Sequence, residues 1–189
     1  MLDAHTHTPA PDAIISVEPD DFSPIPGLIY SVGIHPWSPP PDAHSEALLR
    51  SAATHPQVVA IGECGIDLLR GTLPLEKQEQ LTMLHARLAE EVHKPLVLHC
   101  VRAYHIIDRL LKKFRPTQPW IIHGFRGNAT VARQLLRHPQ VWLSFGEHFN
   151  PDALAATPPT RRLAETDCSH LPIAAIAAKV NPTSSPLTR

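Results

Sequence analysis

The sequence predicts an α/β fold: a shortened, distorted TIM-type barrel of parallel strands alternating with helices. Three observations lead there. From residue 58 onward, short apolar runs alternate with segments of helical periodicity. The runs are continuously apolar, as in parallel strands buried on both faces, rather than alternating as in a sheet with one wet face. The chain, at 189 residues, is one domain by length but falls short of the about 250 residues usual for a full eightfold barrel.

The N-terminal region departs from the rhythm. Residues 1–5, 13–17 and 28–33 each read as strands. Too few residues join the first two for the dozen or more that a parallel crossover usually takes. A meander is expected, with residues 13–17 antiparallel to both neighbours. Pro39, Pro40 and Pro41 then form a stiff connector. Strands follow at 58–62, 95–99, 120–123, 141–145 and 163–166. Between them, Leu81, Leu84, Leu88 and Val92 fall on one helical stripe, as do Ile107, Leu110, Leu111 and Phe114. Asn128 suits the N-cap of a helix running to Leu136. Residues 1–180 read as a single domain and 181–189 as a loose tail.

Composition narrows the function classes. A formal net charge of −1 gives no bulk field for wrapping a long nucleic acid, so any such contact is local. The sequence shows no signal peptide and no apolar run long enough to span a bilayer, and three cysteines do not suggest a disulfide framework. A cytoplasmic setting is expected. Thirteen histidines raise the prospect of metal binding. Prolines number 21, about twice the average share, and sit mostly between elements.

The chemistry-bearing residues recur at one architectural position. In Asp3-Ala4-His5-Thr6-His7 the histidines are two apart, so on a strand both point the same way. Taken alone, that pair fits two surface histidines as well as two ligands. Yet Glu63, His99, His123 and Asp167 each stand at the end of a predicted strand. In a barrel of this kind the C-terminal strand ends form the functional face, so all six would converge there. Imidazole and carboxylate together suit a divalent first-row cation such as Zn²⁺ or Mn²⁺. A carboxylate shared between two cations is an arrangement for hydrolysis.

These segments resemble the TatD family of metal-dependent deoxyribonucleases. The similarity lies in Asp3-Ala4-His5-Thr6-His7, Gly33-Ile34-His35-Pro36, Ala60-Ile61-Gly62-Glu63-Cys64-Gly65-Ile66-Asp67, Leu98-His99-Cys100-Val101-Arg102-Ala103, Ile122-His123-Gly124-Phe125-Arg126-Gly127 and Glu165-Thr166-Asp167, in family order. The resemblance implies that His5, His7 and Asp167 hold one metal, that His99 and His123 hold a second, and that Glu63 bridges them. It implies Mg²⁺ or Mn²⁺ for activity, with Zn²⁺ in related proteins. It also implies 3′–5′ exonuclease-like cleavage of DNA, with Glu63 and Asp167 catalytic and Asp167 orienting or deprotonating the attacking water. Departures from the family are a reduced N-terminal βα region and a missing C-terminal helix.

Around this set, Arg102 and Arg126 each follow a predicted ligand by three residues and are candidates to fork onto phosphate. His35 is a candidate substrate contact, and Asp67 a brace for the loop after Glu63. His148 and His170 could reach the pocket, though surface positions suit them better. Trp37 and Phe149 are candidates for stacking on a base or for packing. Cys64, Cys100 and Cys168 each follow a predicted ligand and should face away from it as small core residues. An amidase or esterase, a small-phosphoester hydrolase and a non-catalytic metal-binding module are the competing readings. Oligomeric state has no legible signal.

Overall fold

A computed structural model describes residues 2–181 and 186–187. Eight strands form one sheet in sequence order: β1 (Asp3–Thr6), β2 (Ala13–Val17), β3 (Ile29–Val32), β4 (Val58–Asp67), β5 (Leu96–Val101), β6 (Trp120–Ile122), β7 (Val141–Phe145) and β8 (Arg162–Ala164). Every neighbouring pair is parallel. The sheet curls until its ends meet. Thr6 bridges Asp167 in parallel, and the Asp167 N–H donates to the His5 carbonyl at 2.9 Å. The expected distorted barrel is therefore present, and its N-terminal region is reduced. No helix separates β1 from β2, and one 3₁₀ turn (Pro19–Asp21) lies between β2 and β3. Met1, counted in the first predicted strand, lies outside the described residues.

The expected antiparallel meander is wrong. β2 runs parallel to both β1 and β3. The usual crossover length assumes a helix, but β1 is only four residues long, a rise of about 13 Å. Residues 7–12 can cover that distance as extended chain at ~3.3–3.6 Å each. Asp12, at φ 56°, then turns the chain into β2 in a left-handed conformation that Asp tolerates.

Helices α1 (Ala43–Ala53), α2 (Leu75–Glu91), α3 (Tyr104–Phe114), α4 (Ala129–Leu135), α5 (Pro151–Ala156) and α6 (Ile173–Val180) follow β3 to β8 in turn. Their starts are written locally. Asp42, directly after the proline connector, accepts the Ser45 N–H, and Asn128 accepts the Val131 N–H. α3 buries Ile106, Ile107, Leu110 and Leu111. α2 buries Leu81 and Leu88, but Leu84 and Val92 are only partly covered, and Gln78, Thr82 and His85 take inner positions.

A second correction concerns α6, because a C-terminal helix is not missing. Ile173, Ile176, Ala177 and Val180 repeat at helical spacing, and the last three are buried as the helix packs against β8. In such a short, Ala-rich segment the stripe is easily read as tail. Of residues 181–189, read as loose, 182–185 and 188–189 lie outside the described residues. Leu187 is buried.

The apolar interior has two parts. The larger fills the space between strands and helices and includes Leu49, Ile61, Leu98, Leu111, Phe125 and Phe145. The smaller joins Ala4, Ile14, Ala60, Val97, Ile121, Leu163 and Leu187. Side chains two apart on a strand share a face. The residues two beyond Val97, Ile121 and Leu163 are His99, His123 and Glu165, so this small cluster is the floor beneath the polar mouth. No helix among the described residues is long and apolar enough to cross a membrane.

Candidate metal centre

Glu63 is the hub of that mouth. It lies within β4 rather than at its end, as the sequence suggests, between Gly62 at φ 124° and Gly65 at φ 141°. A Cβ at Gly62 would stand 2.4 Å from the Val97 carbonyl oxygen, and one at Gly65 2.1 Å from that of His99. Only glycine permits both the backbone and the close approach of β5. The ladder to β5 is irregular between Ile61 and Cys64, the stretch that carries Glu63.

The two carboxylate oxygens of Glu63 face different partners. Oε1 lies 2.7 Å from His99 Nδ1, 2.7 Å from His123 Nε2 and 3.0 Å from His35 Nε2. Oε2 lies 3.1 Å from His5 Nε2 and 3.5 Å from His7 Nε2. His7 Nε2 is also 3.6 Å from Asp167 Oδ1. The mouth therefore brings all six sequence-selected residues together. It adds His35, which reaches the Glu63 oxygen itself rather than a rim above it. Donor atoms close enough to share one cation come from His5, His7 and Asp167, from His5, Glu63 and His123, and from His35, Glu63 and His99.

Charge and burial make this a strained arrangement for protons alone. Burial opposes ionisation of Glu63, yet His123 and His5 hold its carboxyl well below the usual range. Burial likewise opposes protonation of His123, but Glu63 and Glu165 push its pKa well up. His5 is fully buried, and neither of its ring nitrogens has a hydrogen-bond partner. Glu63 Oε2 is also without one, since the 3.1 Å approach of His5 lacks hydrogen-bond geometry. Buried polar atoms left orphaned beside one another are costly unless something outside the chain satisfies them. Imidazole nitrogens and carboxylate oxygens aimed at common points fit divalent cations.

Further side chains, to which the sequence reading gave no role at the centre, orient these imidazoles and carboxylates. Asp67 Oδ2 sits 3.1 Å from His99 Nε2, which leaves Nδ1 for Glu63, and accepts the Trp37 indole N–H at 2.7 Å. Its other oxygen caps the following loop by accepting from Leu69 and Arg70, so the expected bracing role is only half of what it does. Glu165 is 3.3 Å from His123 Nδ1 and accepts the Gly124 N–H. Asp3 accepts the N–H of His5 and both the N–H and hydroxyl of Thr166, tying the His5 strand to the Asp167 turn. Asp3 and Glu165 each stand two residues before a candidate ligand, His5 and Asp167, in the motifs themselves. Same-face spacing was the signal that could have found them.

A cavity of ≈ 600 Å³ opens from the centre, lined by Trp37, His99, His123, Asp167 and the arginines Arg70, Arg102 and Arg126. All three arginines are exposed. Arg70, unpredicted, lies 5.2 Å over the Trp37 ring. His148 and His170 are exposed beside an adjoining recess that Asp167 also lines. Trp37 belongs to the site, 44 % exposed and edge-on to His35 and His99, whereas Phe149 packs against Phe145. Cys64 and Cys100 are buried core residues as expected. Cys168 is exposed, because the turn after β8 has left the barrel wall. A larger recess of ≈ 800 Å³ at the opposite end, around Trp142 and Arg161, holds no comparable ligand set among the described residues.

A parallel β/α barrel with clustered histidines and carboxylates at its C-terminal mouth defines the general class of barrel proteins with a candidate metal site. Residues 23–184 match the family described as TatD related DNase, and the chain belongs to that family. It is similar to the 3′–5′ ssDNA/RNA exonuclease TatD of Rahnella sp. (strain Y9602), 32% identical over 161 residues, covering 75% of this chain and 57% of that protein. With the protein of the same name from Klebsiella pneumoniae (strain 342) it shares 36% identity over 116 residues, covering 58% and 43%. The chain thus spans about half the length of these curated relatives. Among solved structures, the TatD homologue YJJV of Escherichia coli K12 superposes with a TM-score of 0.78 at 23% identity, over 89% of this chain and 76% of that one. A TatD-family hydrolase from Entamoeba histolytica gives 0.65 at 20% identity, over 82% and 60%. These two likenesses establish the fold.

Proposed function

We propose that this chain hydrolyses phosphodiester bonds at the ends of single-stranded DNA, acting as a 3′–5′ exonuclease with two divalent cations, Mg²⁺ or Mn²⁺, at Glu63. The observation that carries this reading is the division of Glu63, with Oε1 toward His35, His99 and His123 and Oε2 toward His5 and His7. His5, His7 and Asp167 would hold one cation, and His99 and His123 the other. When bound, such a pair activates water and offsets charge on the phosphoryl oxygens. Asp167, partly exposed where it faces the cavity, would accept the proton from the attacking water. Arg102 and Arg126 would grip the flanking phosphates and Trp37 would stack on a base. The names of the curated relatives support the choice of nucleic acid, as do the arginines in a chain of net charge −1. A cytoplasmic site of action agrees with the free cysteines.

The test is cleavage of end-labelled single-stranded DNA with Mg²⁺ or Mn²⁺, beside EDTA and Glu63→Ala controls. Stepwise loss of 3′ nucleotides, absent from both controls, is the expected result. Intact DNA with cation still bound would overturn the nuclease reading and turn attention to small phosphoesters.

A further inference from the structure

The centre has two flanks of opposite charge. On one side lies the ≈ 600 Å³ cavity, where Arg70, Arg102 and Arg126 outnumber the carboxylates Asp67 and Asp167. On the other lies a second cavity of ≈ 390 Å³ whose charged lining is Glu18, Asp21 and Glu63, with His7 and His35 and no lysine or arginine. Trp37 lines both, so it stands as the wall between them. The inner end of the second cavity is Glu63, 4 % exposed, whose Oε2 has no hydrogen-bond partner. This acidic recess therefore opens onto the same centre rather than onto bare surface.

Its acids are held in place. Glu18 Oε1 accepts the His35 N–H at 3.0 Å and the Ser38 hydroxyl at 2.7 Å. Both bonds fall on one oxygen, which leaves Oε2 to accept from a ligand. Asp21 is exposed at the end of the 3₁₀ turn. The recess is within the size range of small-molecule sites, but carboxylates repel a phosphate and accept from hydroxyls.

Resting on the nuclease reading, we propose that the Glu18–Asp21 recess is the subsite for the terminal nucleoside, and that it selects strands ending in a free 3′-hydroxyl over strands ending in a 3′-phosphate. A scissile phosphate at Glu63 then has the rest of the strand, with its phosphates, on the arginine side. The end that carries no further phosphate lies on the acidic side. Discrimination comes from placing like charge against like charge, which disfavours the phosphate-ended strand.

Two measurements on one pair of short oligonucleotides, identical except for a 3′-hydroxyl or a 3′-phosphate, test this. The first is binding to the whole chain loaded with Ca²⁺, followed by fluorescence anisotropy. The second is kcat/KM with Mn²⁺. The wild type is expected to favour the 3′-hydroxyl by roughly tenfold or more in both. Asp21→Asn and Glu18→Gln should each move that ratio toward one, and the exposed Asp21 variant keeps the test open if the Glu18 variant folds poorly. Equal handling of the two ends by the wild type, or a preference untouched by either variant, would overturn the subsite. Discrimination in binding without cleavage of either strand would uphold the subsite and overturn the nuclease reading, so the two failures are distinguishable.

Discussion

At the floor of the barrel, Val97, Ile121 and Leu163 close against Ala4, Ile14, Ala60 and Leu187, all 5 % exposed or less. One pleat further along the same three strands stand His99, His123 and Glu165. The floor is satisfied within itself by apolar burial. The mouth is as buried only at its inner residues, where His5 and Glu63 keep polar atoms without a hydrogen-bond partner in the described chain. The difference teaches where stability and function are divided in this fold. The floor closes through apolar contacts of the chain with itself, whereas the mouth holds buried polar atoms that lack a partner in the described chain.

The sharpest way to break this comparison is Glu63→Ala. Removing the group that the two proposed cation positions would share should lower DNA cleavage on the order of 10³-fold, with bound Mn²⁺ per chain falling in parallel. Loss of cleavage with full metal content would place the role of Glu63 elsewhere. The opposite change, Ile121→Ala in the floor, should cost about 3 kcal/mol in denaturant unfolding, with the Mn²⁺ affinity of the folded protein unchanged. A floor variant that weakens metal binding would show that the two layers are not separate.

The histidines allow a pH version of the same test. His123 faces carboxylates and is raised, whereas His85 sits fully buried on α2, donating from Nδ1 to the Leu81 carbonyl and accepting the Ile34 N–H at Nε2. Burial pushes the pKa of His85 down to about 4 from 6.5, only partly opposed by the Leu81 bond. A folded-state pKa below the unfolded one stabilises fully above pH 6.5, and that stabilisation is lost as pH falls toward 4. Its size is about 3 kcal/mol at 1.36 kcal/mol per pKa unit. Urea melts between pH 7 and 4 should show the decline, and His85→Gln should flatten it. An unchanged slope would assign the acid sensitivity to the mouth instead.

Smaller effects sharpen the boundary of the mouth. Glu165→Gln should weaken Mn²⁺ binding by about 10–100-fold in calorimetric titration, since a partner that orients a ligand histidine is worth that much. Arg126→Ala should raise KM for an oligonucleotide and reduce the salt slope of binding by about one, the signature of one lost phosphate contact. Arginine variants without effect on the salt slope would remove that side of the cavity from the DNA path.

What could be read in advance differs between layers of organisation. The helices α2, α3 and α4 were visible in Leu81 and Leu88, in Ile107 and Leu111, and in Asn128, because periodicity and capping act over a few residues. Glu63 and the five selected residues around it were visible as chemistry at predicted strand ends. Misread were the direction of β2 and the helix at Ile173–Val180, and unstated was how closely His35 approaches Glu63. The first depends on how short a strand the return must span, the second on a stripe that counts only once β8 covers it, and the third on how far the loop after β3 folds inward.

By itself the sequence determined the order of the elements, the apolar core and the stock of imidazoles and carboxylates, all properties of neighbours in the chain. Tertiary structure alone decided which of these share a point in space. Barrel closure sets the Asp167 N–H on the His5 carbonyl across 162 positions of sequence, and the glycines flanking Glu63 turn its two oxygens toward different histidines. Only that closure sets arginines on one side of Trp37 and Glu18 and Asp21 on the other, because charge acts through distance in space and not through separation along the chain.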